Sequence, residues 1–184
     1  MITKQIIIDN LKTLFYAFII AIIIRSLLIQ PFYIPSSSME PTLLVGDRIF
    51  VTKYSYGYSK HSFPFSPPIF NNRLIFKEPK RGDVVVFKTP ADNRTDYIKR
   101  LIGLPGDTIQ FIDSNLYLNN TEILKSLVSK KEKIYCGNSN INVFSFEEKL
   151  PNGKIYKSVY SKDFPYQNSD IFEVPENYYF FLGD

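Results

Sequence analysis

The sequence is poor in the residues that build metal sites and disulfides. Its 184 residues include no Trp, one Cys and one His. Cys136 alone can form no intramolecular disulfide and no cysteine cluster, and a zinc site needs several thiolate or imidazole ligands. A metalloenzyme is therefore disfavoured, and no metal is expected. His61 lies in the polar, Pro-rich stretch SKHSFPFSPPIF, which favours a surface histidine over a catalytic partner for a serine.

The sequence also has no nucleic-acid-binding motif, no internal repeat and only short clusters of basic residues. The net charge is +4, with an isoelectric point near 9.0. A mildly basic surface near anionic lipid and an ordinary solvated surface explain this charge equally well. Because 45% of the residues are hydrophobic, most of the chain is expected to fold. Because there is no nucleic-acid-binding motif, no nucleic acid is expected as a partner.

An uncharged apolar segment lies near the N-terminus. The stretch Thr13–Ile24 carries no charge, and Ile6–Ile29 has its three charged residues, Asp9, Lys12 and Arg25, toward the ends. Twenty-four helical residues are enough to cross a bilayer core. No small-residue cleavage site follows directly, as a cleaved signal peptide would require, and no polar face indicates a buried or interfacial helix. The segment therefore predicts an uncleaved transmembrane anchor in a lipid bilayer, although its charges do not fix its orientation.

The rest of the chain has the pattern of a mainly β protein. Pro31 and Pro35 predict an extended exit from the helix, and GLPGD at Gly103–Asp107 predicts a turn. Alternating or short apolar runs predict these strands: Arg48–Tyr54, Asp83–Phe87, Asp96–Ile102, Thr108–Ile112 and Asn177–Leu182.

Two further hairpins are predicted in a more polar part of the chain. One joins Leu116–Leu118 to Glu122–Leu124, and the other joins Phe144–Leu150 to Lys154–Tyr160. The remaining stretches there, 125–143 and 161–170, are polar. We therefore divide the chain into four parts: an anchor at 1–30, a β core at 31–112, a smaller β-rich insertion at 113–171, and a return strand at 172–184.

Two stretches are candidates for chemistry. In IPSSSMEPTLLVGD, three serines lie between prolines, as in a linker, but apolar residues follow at once and favour serines held against a core. With His61 discounted, a neutral lysine is the remaining common base for a serine nucleophile. Its pKa of about 10.4 must fall by roughly 3 units, which corresponds to about 4 kcal/mol. Lys99 shares one strand face with Tyr97 and Leu101, a pattern that fits either such a base or an edge lysine with its amine in water.

Together these stretches resemble the type I signal peptidases, which are membrane-anchored serine proteases with a Ser–Lys dyad. Five elements carry the resemblance, in this order: Ile24-Arg25-Ser26, QPFYIPSSSMEPTLLVGD, RGDVVVFK, DYIKRLIGLPGD and YYFFLGD. Spacing and order match from about residue 12 to 112 and again from 174 to 184. The resemblance implies a signal-peptidase and repressor-protease-like β core with an inserted β subdomain, and the length of the insertion resembles the Gram-negative form.

The resemblance also implies roles for individual residues. Ser38, directly before Met39, would be the nucleophile, and Lys99 the general base. The oxyanion hole would use the Ser38 backbone N–H and the Ser36 hydroxyl, with Ser37 between them as a bystander. An extended substrate would place small side chains in shallow apolar pockets. The implied pocket residues are Phe32, Ile34, Met39, Leu43, Ile49, Val86 and Ile98.

The implied function is the removal of N-terminal signal peptides from secreted preproteins, without a cofactor. The implied location is the bacterial cytoplasmic membrane, with one spanning helix and the catalytic domain on the outer, periplasmic side. The family motif continues after Gly-Asp with Asn-Arg and Ser-x-Asp-Ser-Arg, so the resemblance predicts a C-terminally truncated member with an incomplete return strand. Two alternatives stay open: an inactive or weakly active homologue that only binds signal peptides, and a self-cleaving repressor relative, which the anchor disfavours.

Overall fold

The computed structural model describes residues 4–63, 66–68, 72–136, 139–161 and 168–184. The predicted polar stretch 161–170 lies largely outside these residues. Contacts divide the chain into two compact units. The first consists of residues 1–32 and 48–78, and the second of residues 33–47 and 79–184.

The first unit begins with a long apolar helix, α1 (Lys4–Leu27). Its 24 residues correspond to a length of about 36 Å, and nearly all of its side chains are exposed. By length and composition, α1 can cross a membrane. The predicted apolar helix is therefore confirmed, although it begins and ends two residues earlier than Ile6–Ile29.

A small sheet and a short turn complete the first unit. Strand β1 (Ile29–Tyr33) pairs with β2 (Arg48–Thr52). A single 3-10 turn, Lys60–Ser62, contains His61, whose Nδ1 lies 3.1 Å from the Ser66 hydroxyl.

The second unit is built almost entirely from antiparallel strands. In chain order these are β3 (Val84–Lys88), β4 (Asp96–Gly103), β5 (Thr108–Ile112), β6 (Asn115–Leu118), β7 (Thr121–Glu122), β8 (Leu124–Cys136), β9 (Ser139–Lys149), β10 (Ile155–Ser161), β11 (Phe172–Glu173) and β12 (Phe180–Leu182). They form three sheets, with the strand orders β12-β4-β3, β11-β5-β6-β7 and β10-β9-β8. The predicted mainly β class is confirmed.

The central strand β4 pairs with a neighbour on each side. Val85 on β3 is paired with Lys99, and Leu182 on β12 is paired with Arg100. Leu101 and Ile102, which follow on β4, are completely buried. Buried side chains from several strands form the core around this part of β4. They are Ile102, Ile109, Leu116, Leu118, Ile123, Leu150, Tyr156 and Val174.

The strands differ from the prediction in two regions. β8 and β9 form a long hairpin through 125–143, where composition predicted no strand. β12 begins at Phe180 rather than Asn177, because Asn177 has a positive φ of 66° and the Tyr178 N–H bonds to the Pro175 carbonyl in a turn. The four-part division at residues 30, 112 and 171 stays a prediction.

Candidate active site

The serine stretch forms a tight turn in the second unit, with the Ser38 side chain exposed. The next residue, Met39, is completely buried, and Ile34 before the turn is 2% exposed. The Glu40 N–H donates to the Ser37 carbonyl at 2.9 Å, and the Leu43 N–H to the Met39 carbonyl at 2.8 Å. Because Met39 fixes the turn in the core, the adjacent Ser38 hydroxyl is held at the surface in a defined position. The expectation that the serines lie against a core is correct.

Lys99 reaches this hydroxyl from strand β4. Its Nζ donates a hydrogen bond to the Ser38 Oγ, across 61 residues of sequence. Burial lowers the pKa of the Lys99 amine, while the negative charge of Asp184 opposes that shift. Desolvation disfavours the ammonium form, so the neutral amine becomes accessible closer to neutral pH. A depressed lysine pKa beside a serine hydroxyl is an arrangement that can activate the serine as a nucleophile.

The hydroxyl of Ser36 lies next to that of Ser38. The two oxygens are 3.3 Å apart, and both side chains are exposed, whereas Ser37 between them is half-buried. The turn thus brings the hydroxyls of two alternate serines together. Hydroxyl groups can stabilise negative charge that develops on a carbonyl oxygen, so the position of Ser36 is compatible with such a role.

A buried ion pair lies on the other side of β4. The Arg100 Nε donates to Asp184 Oδ1 at 2.6 Å, and its Nη2 donates to Oδ2 at 2.5 Å. The same guanidinium donates to the Gly82 carbonyl at 2.9 Å and the Thr42 hydroxyl at 3.3 Å. Side-chain exposure is 5% for Arg100 and 0% for Asp184. This two-point pairing fixes Asp184, and with it the preceding residue.

That preceding residue, Gly183, lies directly against the turn that carries Ser38. A Cβ added to Gly183 would lie 2.3 Å from the Ser38 carbonyl oxygen and 3.7 Å from Lys99 Nζ. Real Cβ atoms do not approach a backbone oxygen so closely, so only glycine fits here without a backbone shift. The chain segment at Gly183 therefore forms one wall beside both candidate catalytic groups.

The apolar residues expected to form substrate pockets differ in burial. Ile34 and Met39 are buried, whereas the others retain partial exposure. The half-buried members in the second unit are Leu43, Val86 and Ile98, and those in the first unit are Phe32 and Ile49. Their assignment as pocket residues stays a prediction.

Sequence reasoning missed Arg100, Gly183 and Asp184 as parts of this site. One signal was available, since an arginine followed by Leu101 and Ile102 in a core strand requires a buried acceptor. In the sequence, the Gly-Asp pair after NYYFFL indicates only the start of a longer motif. Its pairing with Arg100 spans 84 residues, and no local pattern reveals such a contact.

Comparisons with known proteins agree with this geometry. A family model described as signal peptidase, peptidase S26, matches residues 7–184. The chain belongs to the signal peptidase family S26. A signal peptidase I of Rickettsia typhi is 47% identical over 175 residues, covering 90% of this chain and 64% of the relative. A signal peptidase I of Rickettsia conorii is 46% identical over 180 residues, covering 92% of this chain and 66% of the relative.

A third S26 relative gives the same picture. The signal peptidase I of Rickettsia prowazekii is 47% identical over 181 residues, which cover 92% of this chain and 67% of that protein. The chain thus spans about two thirds of the length of the curated relatives it matches. The matched region includes the turn at Ser38, strand β4 and the segment at Gly183.

Proposed function

We propose that this chain is a membrane-bound serine endopeptidase that removes N-terminal signal peptides from secreted preproteins with a Ser38–Lys99 dyad. The observation that carries the proposal is the direct contact between Lys99 Nζ and Ser38 Oγ. The lowered pKa of Lys99 supports it, because a lysine acts as a base only when it is neutral. Membership of the S26 family supplies the reaction class.

In the proposed first step, Ser38 Oγ attacks the scissile carbonyl as Lys99 Nζ accepts its proton. The negative charge that develops on the carbonyl oxygen is stabilised by the Ser38 N–H and the Ser36 hydroxyl. Collapse of the intermediate breaks the C–N bond, and Lys99 returns the proton to the leaving amine. This leaves an ester between Ser38 and the signal peptide.

In the second step, Lys99 takes a proton from water, which attacks the ester carbonyl. As this second intermediate breaks down, the bond between the carbonyl carbon and Ser38 Oγ breaks, and Lys99 returns its proton to that oxygen. The signal peptide leaves as a carboxylic acid, which loses its proton to bulk water. Atoms and protons balance without a metal or cofactor. Each step uses one base that must be neutral before attack, so the cleavage rate should rise with pH through the Lys99 pKa.

We propose that the substrate binds in an extended conformation, so that backbone hydrogen bonds hold it and shallow pockets select small side chains. The apolar helix α1 anchors the protein in the bilayer, and the β unit acts at the outer face of the bacterial cytoplasmic membrane. There, the cleavage point of a preprotein would emerge close to the anchor. Partial exposure of Leu43, Val86 and Ile98 leaves apolar surface available to such a substrate.

The test is cleavage of a purified preprotein by the detergent-solubilised chain, followed by gel electrophoresis and N-terminal sequencing of the product. We expect cleavage after the signal peptide, with loss of at least about a thousandfold in kcat for Ser38→Ala and Lys99→Ala. Ser37→Ala is the matched control, since Ser37 is half-buried between the active hydroxyls, and it should retain activity.

Two outcomes would contradict the proposal. Cleavage that persists in Ser38→Ala and Lys99→Ala would exclude the dyad. Binding of a fluorescent signal peptide without cleavage by the unsubstituted chain would instead support a homologue that only binds signal peptides.

The Ser36→Ala variant separates the oxyanion role from nucleophilic attack: we expect kcat to fall by about 10²–10³-fold with little change in KM.

A further inference from the structure

A buried carboxylate in the sheet β10-β9-β8 takes no part in the proposed reaction. Glu148 on β9 is 2% exposed, and its carboxylate accepts three hydroxyl hydrogen bonds from β10. The Tyr156 hydroxyl bonds to Oε2, while Ser158 and Tyr160 bond to Oε1 at 2.7 and 2.6 Å. Burying a carboxylate costs free energy unless its oxygens accept hydrogen bonds, and here three hydroxyls of β10 donate those bonds to Glu148.

One of those three donors also contacts the proposed active site. The guanidinium carbon of Arg100 lies 4.5 Å from the centre of the Tyr156 ring, within cation–π distance. Tyr156 thus donates its hydroxyl to Glu148 and presents its ring face to Arg100. A phenol that donates to a carboxylate has a more electron-rich ring, which strengthens its attraction for a cation. Burial, followed by the charge of Glu148, raises the pKa of Tyr156, so the hydroxyl remains a donor.

From Arg100 the contacts continue to the nucleophilic turn. Arg100 holds both oxygens of Asp184, and the neighbouring Gly183 lies against the Ser38 carbonyl. The charge of Asp184 also acts on Lys99. The position and charge balance of the site therefore depend on how firmly Arg100 is held between Tyr156 and Asp184.

We propose that Glu148 is a positioning residue for the Ser38–Lys99 site, acting through the Tyr156 ring on the Arg100–Asp184 pair. This inference rests on the proposed function. It gives the sheet β10-β9-β8 an indirect role in the reaction. Loosening Arg100 would leave the charge of Asp184 less compensated, which favours protonated Lys99 and displaces Gly183.

The chain offers a matched control in Tyr160. Its hydroxyl bonds to the same carboxylate as that of Tyr156, but its ring packs against Phe146 and lies 4.3 Å from Lys125 Nζ. The charge of Glu148 also acts on Lys125, so the Tyr160 ring lies beside a different cation from the Tyr156 ring. Tyr160→Phe therefore removes one hydrogen bond from Glu148 and leaves the contact between Tyr156 and Arg100 in place.

The experiment compares Glu148→Gln, Tyr156→Phe, Tyr156→Leu and Tyr160→Phe in the detergent-solubilised full chain. Cleavage of a signal-peptide substrate gives kcat, KM and the pH profile. We expect Tyr156→Leu to lower kcat by on the order of tenfold with KM nearly unchanged. Glu148→Gln and Tyr156→Phe should lie between Tyr156→Leu and the unsubstituted chain, and Tyr160→Phe should retain kcat.

A second readout does not require cleavage. Lysine amines labelled by reductive ¹³C-methylation are titrated by NMR, and the Lys99 signal is assigned by its loss in Lys99→Arg. We expect the Lys99 pKa to rise in Glu148→Gln and Tyr156→Leu and to stay unchanged in Tyr160→Phe. Asp184 and Arg100 are the charged groups through which this rise would occur.

The outcomes separate the two proposals. An unsubstituted chain that fails to cleave would contradict the proposed function, while the Lys99 titration would still decide the positioning role. If the Lys99 pKa is the same in Tyr156→Leu, Glu148→Gln and Tyr160→Phe, Glu148 has no positioning role. Should Tyr156→Leu fail to fold, Tyr156→Phe and Glu148→Gln provide the same comparison with milder changes.

Discussion

Replacing Arg100 by Met tests whether the ion pair beneath β4 is as buried as the structure describes. Arg100 donates two hydrogen bonds to Asp184, one to the Gly82 carbonyl and one to the Thr42 hydroxyl. Methionine keeps much of the apolar stem and removes the charge. Asp184, whose side chain is 0% exposed, would then be a buried carboxylate without its cation.

The expected loss follows from that burial. Removing one partner of a buried ion pair typically costs about 3–5 kcal/mol, because the remaining charge stays uncompensated. The matched control is Lys88→Met. Lys88 pairs with Asp96 at 2.8 Å, but the two side chains are 26% and 37% exposed. Such a pair contributes about 0–1 kcal/mol, so the two variants should differ by at least about 2 kcal/mol.

Urea unfolding in detergent, followed by far-UV circular dichroism, measures this difference, since the chain has no Trp for fluorescence. We also expect Arg100→Met to change the pH dependence of cleavage in a definite direction. Without Arg100, the charge of Asp184 acts on Lys99 without compensation, so the Lys99 pKa rises and kcat increases only at higher pH. The reasoning is refuted if Arg100→Met costs no more stability than Lys88→Met.

Three further predictions concern separate parts of the β unit. Gly183→Ala should lower kcat by about tenfold or more, because its Cβ would meet the Ser38 carbonyl oxygen at 2.3 Å; steady-state kinetics measure this. The pH profile of kcat/KM should rise with an apparent pKa below the usual lysine value of 10.5, since burial lowers the Lys99 pKa; a profile that rises only near that value would contradict it. Burial raises the pKa of Asp107, but hydrogen bonds, the largest from Arg81, lower it by more, so the net pKa lies below the ordinary value of 3.8. Asp107→Asn should therefore reduce the free energy of unfolding by about 1–3 kcal/mol at pH 7. Urea unfolding should show that this loss becomes smaller as the pH falls through the folded-state pKa.

Local patterns predicted most of the secondary structure. The uncharged run at Thr13–Ile24 allowed only a long apolar helix, and α1 covers it fully. Alternation and flanking turns placed β3, β4 and β5 within one residue at each end. These elements are predictable because burial on one face, or exposure to lipid all round, leaves a regular pattern in the sequence.

Strand β8 and the first residues of β9 were missed, whereas Phe144–Leu150 was predicted as a strand, because β8 has no such pattern. Leu124, Leu127 and Val128 are 72%, 45% and 50% exposed, and lysines and serines alternate irregularly between them. The pairing also shifts register after Leu127 and again after Ser129. A strand such as β8, which buries little of either face, is held mainly by the backbone ladder, which composition does not reveal.

The candidate site was predictable only in part. The Met39–Val45 run indicated that the serines meet a core, whereas the apolar neighbours of Lys99 fitted either a buried base or an edge lysine with its amine in water. Their meeting could be inferred only from family resemblance, because the two groups are 61 residues apart. The partners of Arg100 were inaccessible for the same reason, since a buried cation predicts an acceptor without saying where in the chain it lies.

Because Lys99 and Arg100 are adjacent on β4, the register of this strand decides which side chain faces Ser38 and which faces Asp184. Successive residues of a strand point to opposite faces, so a slip of β4 by one residue would turn each side chain to the opposite face. A slip in one direction would bring the Arg100 guanidinium to Ser38, and a guanidinium cannot serve as a base because it does not lose its proton. A slip in the other direction would bring the Lys99 ammonium to Asp184, which would lose the two-point geometry of the guanidinium. Neither slipped register would allow the proposed Ser38–Lys99 reaction, so that reaction requires the same alignment of β4 that completes the core.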